Sequence, residues 1–256
     1  MILALDIGNT HIVVGGVEDG VPRFTLRLAS VLSRTADEYA AILSFAAASR
    51  GAELRGVEGA IISSVVPQLT DTLSVVIREL TGKTPLVVGP GVKTGLNIRI
   101  DDPGELGADF VAAAVAALDT RELPCVTIDM GTATAIGVLD ARGCYVGGVI
   151  CPGVAVSGTA LARNTAQLPN VGLQPPAGVI GKSTIDGIRS GLIYGTAAML
   201  DGLLDRIEAE LGTPVSAVAT GDLAGSVAPF CRRKIDVDET LLMRGLWLIY
   251  QKNRRA

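Results

Sequence analysis

The hydrophobic and polar positions along the chain follow two periods, one typical of strands and one typical of helices. Short apolar runs predict strands at 2–5, 60–66, 85–88 and 217–220, and further strands up to about Val149. Apolar residues at helical spacing predict helices at 36–49, 69–81, 107–118, 154–163, 184–211 and 238–251. The third of these helices is expected to start near Asp102-Pro103. Strands followed by alternating β and α elements indicate an α/β fold.

The opening pattern of the chain recurs in its second half. The first strand ends in Asp6-x-Gly8-Asn9-Thr10, and a second β-rich stretch follows with a turn at 19–20. A later strand ends in Asp129-x-Gly131-Thr132, followed by a β-rich stretch and a turn at 141–143. The two aspartates lie about half the chain apart. We therefore predict a duplicated α/β unit, with domains 1–118 and 119–256 and a mixed sheet in each.

An Asp-x-Gly turn at the end of a strand is suited to a nucleotide phosphate and its Mg²⁺. Backbone N–H groups, hydroxyls and amides donate to phosphate oxygens, and the carboxylate orients the metal or its waters. Alone, Asp-x-Gly is often only a turn, but its recurrence at Asp6 and Asp129 favours a function. Two such turns at one cleft are how actin-like kinases hold ATP. A third strand end, 219–222, could close the adenosine end.

Two nucleotide motifs are excluded by their spacing. Gly181-Lys182-Ser183-Thr184 is similar to the end of a P-loop, but the glycine required five residues earlier is replaced by Pro176. The chain also has no strand-linked G-x-G-x-x-G, so a Rossmann site is not supported. Any nucleotide site must therefore be of another kind.

Composition narrows the class of partner. The net charge of −4 gives no support for a nucleic-acid partner. No segment predicts a membrane span, and the N-terminus has no pattern of a signal peptide. The four cysteines have no C-x-x-C spacing and there is one histidine, so a zinc site is not expected. We expect a cytoplasmic protein whose cysteines are small core residues.

Two further polar residues have both a structural and a chemical interpretation. Asp109 follows Gly107-Ala108 at a predicted helix start, where the helix dipole alone favours a carboxylate. His11 lies in a predicted strand, where a packed histidine is more common than a catalytic one. From the charge pattern alone, the structural interpretation is favoured for both.

Taken together, the motifs resemble those of type III pantothenate kinases over nearly the whole chain. The matching stretches occur in the order and spacing of that family. They are 6–10, Asp102-Pro103 with 106–109, 128–134, 147–153, 161–169, 180–184, 190–195 and 219–221.

The resemblance implies a function and a set of site residues. The family has the duplicated ribonuclease-H-like fold of actin-like ATPases, with two domains around a nucleotide cleft. It acts as a homodimer and phosphorylates the terminal hydroxyl of pantothenate with ATP, the first step to coenzyme A. By resemblance, the ATP-binding residues are Asp6, Ile7, Gly8, Asn9, Thr10, His11, Ile12, Val13 and Thr132. The substrate-binding residues are Gly107, Ala108, Asp109, Phe110 and Thr184, the last reaching in from the partner subunit.

The resemblance also implies roles for three carboxylates. Asp6 handles Mg²⁺, in direct contact or through water, and Asp129 ligates a monovalent cation, K⁺ or NH₄⁺. Asp109 is the general base on the attacking hydroxyl, which replaces the structural interpretation of this residue. Phosphoryl transfer depends mostly on positioning and charge neutralisation, with a carboxylate to accept the hydroxyl proton.

The chain departs from the family pattern at four positions. Phe110 replaces an arginine, Ile100 a tyrosine, Ala135 a threonine and Asp222 a glycine. Loss of one charge that stabilises a transition state costs on the order of 10²–10³ in rate. Three hypotheses therefore stay open: a divergent pantothenate kinase, a non-catalytic regulatory relative, and a kinase of the same fold for another small hydroxy acid.

Overall fold

The structure is a computed structural model that describes residues 1–254. The chain forms two compact units. The first contains residues 1–96 and 101–119 and the C-terminal segment from Thr240, and the second contains 97–100 and 120–239. The domain bounds proposed from the sequence, 1–118 and 119–256, remain a prediction. Within residues 1–254, no helix combines the length and the apolar character that a membrane crossing requires.

The strands and helices alternate along the chain. The strands are β1 Ile2–Ile7, β2 His11–Glu18, β3 Val21–Ala29, β4 Ala60–Ser64, β5 Leu86–Val87, β6 Asn97–Ile98, β7 Cys125–Met130, β8 Ala133–Leu139, β9 Cys144–Pro152, β10 Ser216–Thr220 and β11 Asp236–Val237. The helices are α1 Ala36–Ala48, α2 Pro67–Thr81, α3 Ala108–Thr120, α4 Val154–Arg163, α5 Thr184–Leu211, α6 Ala224–Val227 and α7 Leu241–Asn253. Short 3₁₀ turns cover Pro103–Glu105 and Ala228–Phe230.

The two units contain sheets of the same topology. The first sheet has the order β3-β2-β1-β4-β5, and the second has β11-β10-β7-β8-β9-β6. Read from β9 to β11, the second order repeats the first, with β6 added at the edge. In both, the first strand pairs antiparallel with the next and parallel with the fourth. The prediction of a duplicated α/β fold with mixed sheets is confirmed.

Strand β1 is the central strand of the first sheet and is buried on both faces. Four apolar residues, Ile2 to Leu5, are at most 1% exposed. Such a strand reads as a continuous apolar run because it has no solvated face. The hairpin after β2 closes through Asp19 and Gly20, whose φ angles are 51° and 76°. Two successive positive φ angles fit the tight turn that Asp-Gly favours, as the sequence predicted.

Most predicted helices begin and end at recognisable signals. Helix α1 starts at Thr35, whose hydroxyl accepts from the backbone of Glu38 while Glu38 accepts from the backbone of Thr35. Helix α2 has Pro67 at its first turn and ends at Gly82, with a φ of 70°.

Two predicted helix starts were wrong. Asp102 caps the short 3₁₀ turn instead, by accepting from Gly104 N at 2.8 Å, and α3 begins only at Ala108. The last helix does not begin at Asp238, because that residue still donates its N–H to Ala219 O at the edge of the sheet. Helix α7 therefore starts at Leu241.

Helices α3 and α7 pack against each other at very short range. A Cβ on Gly245 of α7 would overlap the carbonyl of Ala112 in α3. Residues 111–117 of α3 are all buried, and five of the seven are alanine. Small side chains on α3 and a glycine on α7 allow the backbones to approach this closely, which explains the Ala-rich sequence of α3.

The apolar residues of α5 are mostly used inside the second unit. From the sequence alone, these residues are more numerous than one buried helix face requires, which predicts an interface wherever they are exposed. Ile188, Leu192, Ile193, Leu200 and Leu204 lie in the core, and Met199 and Leu203 pack against it. Only Ile185 among the residues named for this helix is exposed, at 43%. The apolar excess of α5 is therefore not evidence for an interface.

Two carboxylates of α5 hold the segment after the second 3₁₀ turn. Asp201, which is 2% exposed, accepts from the backbone N–H groups of Arg232 and Arg233. Glu208 accepts from the Arg233 guanidinium and from Val215 N, and these bonds lower the pKa of Glu208 to about 2 from an ordinary 4.5. The carboxylates thereby link α5 to the edge of the second sheet.

The ion pair at Glu208 predicts a specific loss of stability in acid. Because the folded pKa lies below the unfolded value, the stabilisation is fully present above pH 4.5 and is lost as pH falls toward about 2. We expect Glu208→Gln to lower the free energy of unfolding by about 1–2 kcal/mol at pH 7. In urea unfolding at pH 3, the difference in the free energy of unfolding between Glu208→Gln and wild type should be half of its value at pH 7 or less. A difference independent of pH would contradict this role.

Candidate functional site

The loop between β1 and β2 is held in place from β3. Gly8 N donates to His11 O at 2.9 Å, which closes the turn. Ser30, just after β3, donates its hydroxyl to Gly8 O at 2.6 Å and its N–H to Thr10 O at 2.9 Å. Asn9, Thr10 and His11 are exposed. The loop therefore has a fixed backbone and presents polar side chains to solvent, as a phosphate-binding loop requires.

Asp6 lies at the end of β1, beside the parallel strand β4. The register pairs Asp6 with Ser63, and the Ser63 hydroxyl donates to Asp6 Oδ1 at 2.8 Å. Ser63 is fully buried, whereas Asp6 is partly buried. Burial raises the pKa of Asp6 to about 6, opposed by the Ser63 hydrogen bond and assisted by the negative charge of Asp109.

Asp109 is the second residue of α3 and belongs to the same unit as Asp6. Its Oδ1 accepts from Phe110 N at 2.9 Å, and a Cβ on Gly107 would overlap this oxygen. Burial raises the pKa of Asp109, and the Phe110 hydrogen bond opposes the rise. Gly107 is therefore needed by the Asp109 carboxylate itself, which explains the Gly-Ala-Asp motif in physical terms.

The fold brings Asp6 and Asp109 together although they are far apart in sequence. The charge of Asp109 acts on Asp6, and within residues 1–254 neither carboxylate forms an ion pair with lysine or arginine. Two partly buried carboxylates without a cation partner have the oxygen-rich character that Mg²⁺ prefers, together with waters and substrate phosphates. The donor set thus fits a divalent metal.

The second unit builds an equivalent turn around Asp129. Gly131 N donates to Ala133 O at 3.0 Å, and Gly153 N donates to Thr132 O at 3.1 Å. A Cβ on Gly153 would overlap the carbonyls of Gly131 and Thr132, so the start of α4 packs directly on this turn. Asp129 is partly buried and Thr132 is exposed.

Gly221 packs against the Asp129 carboxylate. Its φ is 90°, and a Cβ there would lie 2.5 Å from Asp129 Oδ1 and 2.7 Å from Met130 N. The strand register also places Thr220 beside Asp129. A glycine is therefore required twice at this position, once by the backbone conformation and once by the space beside the carboxylate.

The remaining site residues proposed from the sequence are placed as follows. Phe110 is partly buried in the first turn of α3, and Thr184 is exposed at the first position of α5. Ser30, Ser63 and Gly153 contact the predicted turns. Ser30 and Ser63 were not singled out from the sequence, since only the strand register brings them to Gly8 and Asp6. No group of three or more His, Cys, Asp or Glu side chains suited to a metal occurs within residues 1–254.

Comparison with known proteins assigns the family. A family model described as type III pantothenate kinase matches residues 2–206. The type III pantothenate kinase of Anaeromyxobacter dehalogenans is 43% identical over 254 residues, covering 99% of this chain and 100% of that protein. The corresponding enzyme of Moorella thermoacetica is 40% identical over 253 residues, with the same coverage. This chain belongs to the type III pantothenate kinase family. The resemblance inferred from the sequence motifs is confirmed.

A solved structure supports the fold independently of close sequence similarity. The activator of 2-hydroxyisocaproyl-CoA dehydratase from Clostridium difficile has a TM-score of 0.57 at 12% identity, covering 100% of this chain and 98% of that one. At this identity the likeness concerns the fold alone. It agrees with the actin-like, duplicated ribonuclease-H-like architecture that pantothenate kinases of type III were expected to have.

The contact between Gly221 and Asp129 yields a prediction with a matched control. Gly221→Ala adds a Cβ that must displace the Asp129 carboxylate, whereas Gly212→Ala adds one with nothing within 4 Å, at a φ of 70°. Both variants carry the strain of a left-handed backbone, about 1–2 kcal/mol. We expect kinase activity to fall at least tenfold in Gly221→Ala and to stay within about twofold in Gly212→Ala. Equal losses in the two variants would contradict a role for this contact.

Proposed function

We propose that the protein transfers the γ-phosphoryl group of ATP to the terminal hydroxyl of pantothenate, the reaction that begins coenzyme A biosynthesis. Membership of the type III pantothenate kinase family supports this. The observation in the structure that carries the proposal is that Asp6 and Asp109 lie in one unit beside a phosphate-type loop, close enough for the charge of Asp109 to raise the pKa of Asp6. Metal binding and proton acceptance require two carboxylates with different surroundings. Asp6 accepts from the Ser63 hydroxyl, whereas Asp109 accepts from the backbone of Phe110.

Asp109 is proposed as the general base. Its carboxylate accepts the hydroxyl proton while the hydroxyl oxygen bonds to the γ-phosphorus and the β,γ-bridging P–O bond breaks. The products are then 4'-phosphopantothenate and ADP. Burial raises the pKa of Asp109, which makes it a stronger base than an exposed aspartate. The hydrogen bond from Phe110 N fixes one oxygen of the carboxylate.

Asp6 and residues 7–13 are proposed to hold the phosphates of ATP, and Asp6 to face Mg²⁺ directly or through water. When bound, Mg²⁺ neutralises charge on the phosphates. Asp6 orients the metal, while the loop supplies the backbone of Gly8 and the exposed side chains of Asn9, Thr10 and His11. In the second unit, Thr132 is proposed to contact ATP phosphate, because it is exposed and follows the same Asp-x-Gly pattern at the end of a strand.

Substitution of the base tests the proposed chemistry. Asp109→Asn keeps the shape of the side chain but cannot take the proton, so we expect kcat to fall by at least 10²-fold. Binding of Mg-ADP, measured by calorimetry, should remain within about threefold of wild type. Turnover is measured as the rate at which ADP is released after pantothenate is added. A wild type without turnover on pantothenate, and no change in Asp109→Asn, would instead favour a regulatory protein.

A monovalent cation, K⁺ or NH₄⁺, is proposed to bind at Asp129. The carboxylate lies at the end of a strand, and the lack of side chains at Gly131 and Gly221 brings backbone close to it. A large monovalent cation accepts carboxylate and carbonyl oxygens as ligands. We expect turnover to rise at least tenfold when Na⁺ is replaced by K⁺, and this response to disappear in Asp129→Asn. Equal activity in the two salts would contradict the site.

A homodimer is proposed, in which Thr184 of the partner subunit completes the pantothenate site. Exposed apolar side chains support an interface formed by β9, α4 and the segment before α5. They are Ile150, Val156, Leu161, Val179, Ile180 and Ile185, of which Ile150 and Ile180 are 71% and 88% exposed. A contiguous patch of exposed apolar residues marks an interaction surface, and these side chains are proposed to form one.

Charge substitutions test this interface against an exposed apolar residue of the other unit. Ile150→Asp with Ile180→Asp should shift the mass in light scattering from two chains to one. Phe45→Asp, at a side chain that is 79% exposed on α1, should leave the mass unchanged. A monomeric wild type at micromolar concentration would refute the dimer.

The cytoplasm is the proposed location. The four cysteines are free, and burial raises the pKa of Cys125 and raises that of Cys231 to about 11. Cys125 and Cys144 are buried as the sequence predicted, while Cys151 and Cys231 are only partly buried. Unpaired thiols of this kind suit a reducing compartment.

A further inference from the structure

Ser63 is the one side chain that donates a hydrogen bond to Asp6 within residues 1–254. We propose that Ser63 is a positioning residue, which holds Oδ1 of Asp6 so that the rest of the carboxylate faces the metal–nucleotide complex. The inference rests on the proposed function, because it takes Asp6 as the carboxylate that handles Mg²⁺. It assigns a role to a residue that makes no proposed contact with substrate.

Burial and strand pairing fix the position of the Ser63 side chain. It lies in β4 with zero exposure, and its neighbours pair with β1 in parallel register, Ile62 with Leu5 and Ser64 with Ile7. A shift of the hydroxyl would require the two central strands to move. Since a fully buried hydroxyl must satisfy its donor inside the protein, the bond to Asp6 is a fixed feature of the fold.

The hydrogen bond also constrains the torsion that matters for metal binding. The carboxylate torsion of aspartate is broad, with no sharp minimum of its own. The Ser63 hydroxyl lies 2.8 Å from Oδ1, within the ordinary range of a hydrogen bond, and such a bond becomes stronger when the carboxylate is ionised. With Oδ1 held, Oδ2 has a defined direction. Partners that hold a metal-ligating group in this way typically change metal affinity by about 10–100-fold when removed.

The duplicated unit repeats the arrangement in its register. In the second sheet, Thr220 pairs with Asp129 across the parallel strands β10 and β7, as Ser63 pairs with Asp6 across β4 and β1. Thr220 is 2% exposed. Both copies therefore place a buried hydroxyl residue in register with the strand-ending aspartate, which is what a positioning role predicts and what core packing alone does not require.

The adjacent serine provides a matched control. The Ser64 hydroxyl accepts from Val66 N at 3.1 Å and from Thr70 Oγ1 at 2.7 Å, at the start of α2. Its bonds thus organise a helix start and do not reach Asp6. Ser64→Ala removes the same group from the next position of the same strand.

The experiment compares nucleotide binding with and without metal. Calorimetry measures ADP affinity in Mg²⁺ and in EDTA, and electron paramagnetic resonance counts Mn²⁺ bound in the presence of ADP. We expect Ser63→Ala to weaken Mg-ADP and Mn²⁺ binding about tenfold or more, while ADP affinity in EDTA changes less than about twofold. Ser63→Thr, which retains the hydroxyl, should recover most of the metal affinity, and Ser64→Ala should match wild type.

A double-mutant cycle separates positioning from packing. In an Asp6→Asn background, Ser63→Ala should cause no further loss of Mn²⁺ binding, because the carboxylate that Ser63 orients is gone. Equal losses with and without metal, additive losses in the cycle, or wild-type metal affinity in Ser63→Ala would each overturn the proposal. If Ser63→Ala does not fold, Ser63→Cys keeps the volume with a weaker donor and serves the same comparison.

The result is independent of the identity of the phosphoryl acceptor. A wild type that binds Mg-ADP with the expected dependence on Ser63, but does not phosphorylate pantothenate, would support the positioning role and contradict the proposed function. A wild type whose ADP affinity is the same in Mg²⁺ and in EDTA would overturn the role of Ser63, even if pantothenate were phosphorylated.

Discussion

The parallel pairing of β1 with β4 is the constraint on which the surroundings of Asp6 depend. An apolar run buried on both faces holds β1 at the centre of its sheet, and the carboxylate comes where the run ends. Because the neighbouring strand is parallel, its own end lies at the same edge, and Ser63 meets Asp6 there. Burial of the four large apolar side chains of β1 thus stabilises a location that raises the pKa of Asp6.

Duplication gives the chain two such strand ends, but the surroundings of the two aspartates differ. Asp6 has a hydroxyl donor and a second carboxylate nearby, whereas Asp129 has the close backbone of Gly221. One repeated element therefore places its two aspartates in different surroundings, because residues outside the repeat decide what lies beside each carboxylate.

Hydrophobic periodicity, together with capping, proline and glycine residues, predicted the helices and hairpins well where neighbouring residues determine their ends. Thr35, Pro67, Gly82 and the Asp19-Gly20 turn all act through neighbouring residues, and the structure has helix or hairpin ends at each. The strands β6 and β11 have two residues each and were missed, because only pairing with a distant strand defines them.

The same distinction between local and distant causes applies to the site. The turns at Asp6, Asp109 and Asp129 were visible in the sequence because glycine marks each of them. Ser30 and Ser63, which bond to the loop and to Asp6, were not visible, because a serine in or next to a strand has no local signature and its partner comes from a distant part of the sheet. The apolar residues of α5 also depend on distant contacts, because most of them pack into the core of the second unit.

The replacement of arginine by Phe110 removes less from the site than its charge change indicates. The contact that residue 110 makes with the proposed base comes from its backbone N–H, which any residue except proline supplies. Phe110 therefore preserves the hydrogen bond to Asp109 and the close packing of Gly107 against the same carboxylate. An arginine at this position would place a cation in the first turn of α3 and would oppose the rise in the pKa of Asp109. With phenylalanine there, burial sets the direction of the shift and makes Asp109 more basic than an exposed aspartate.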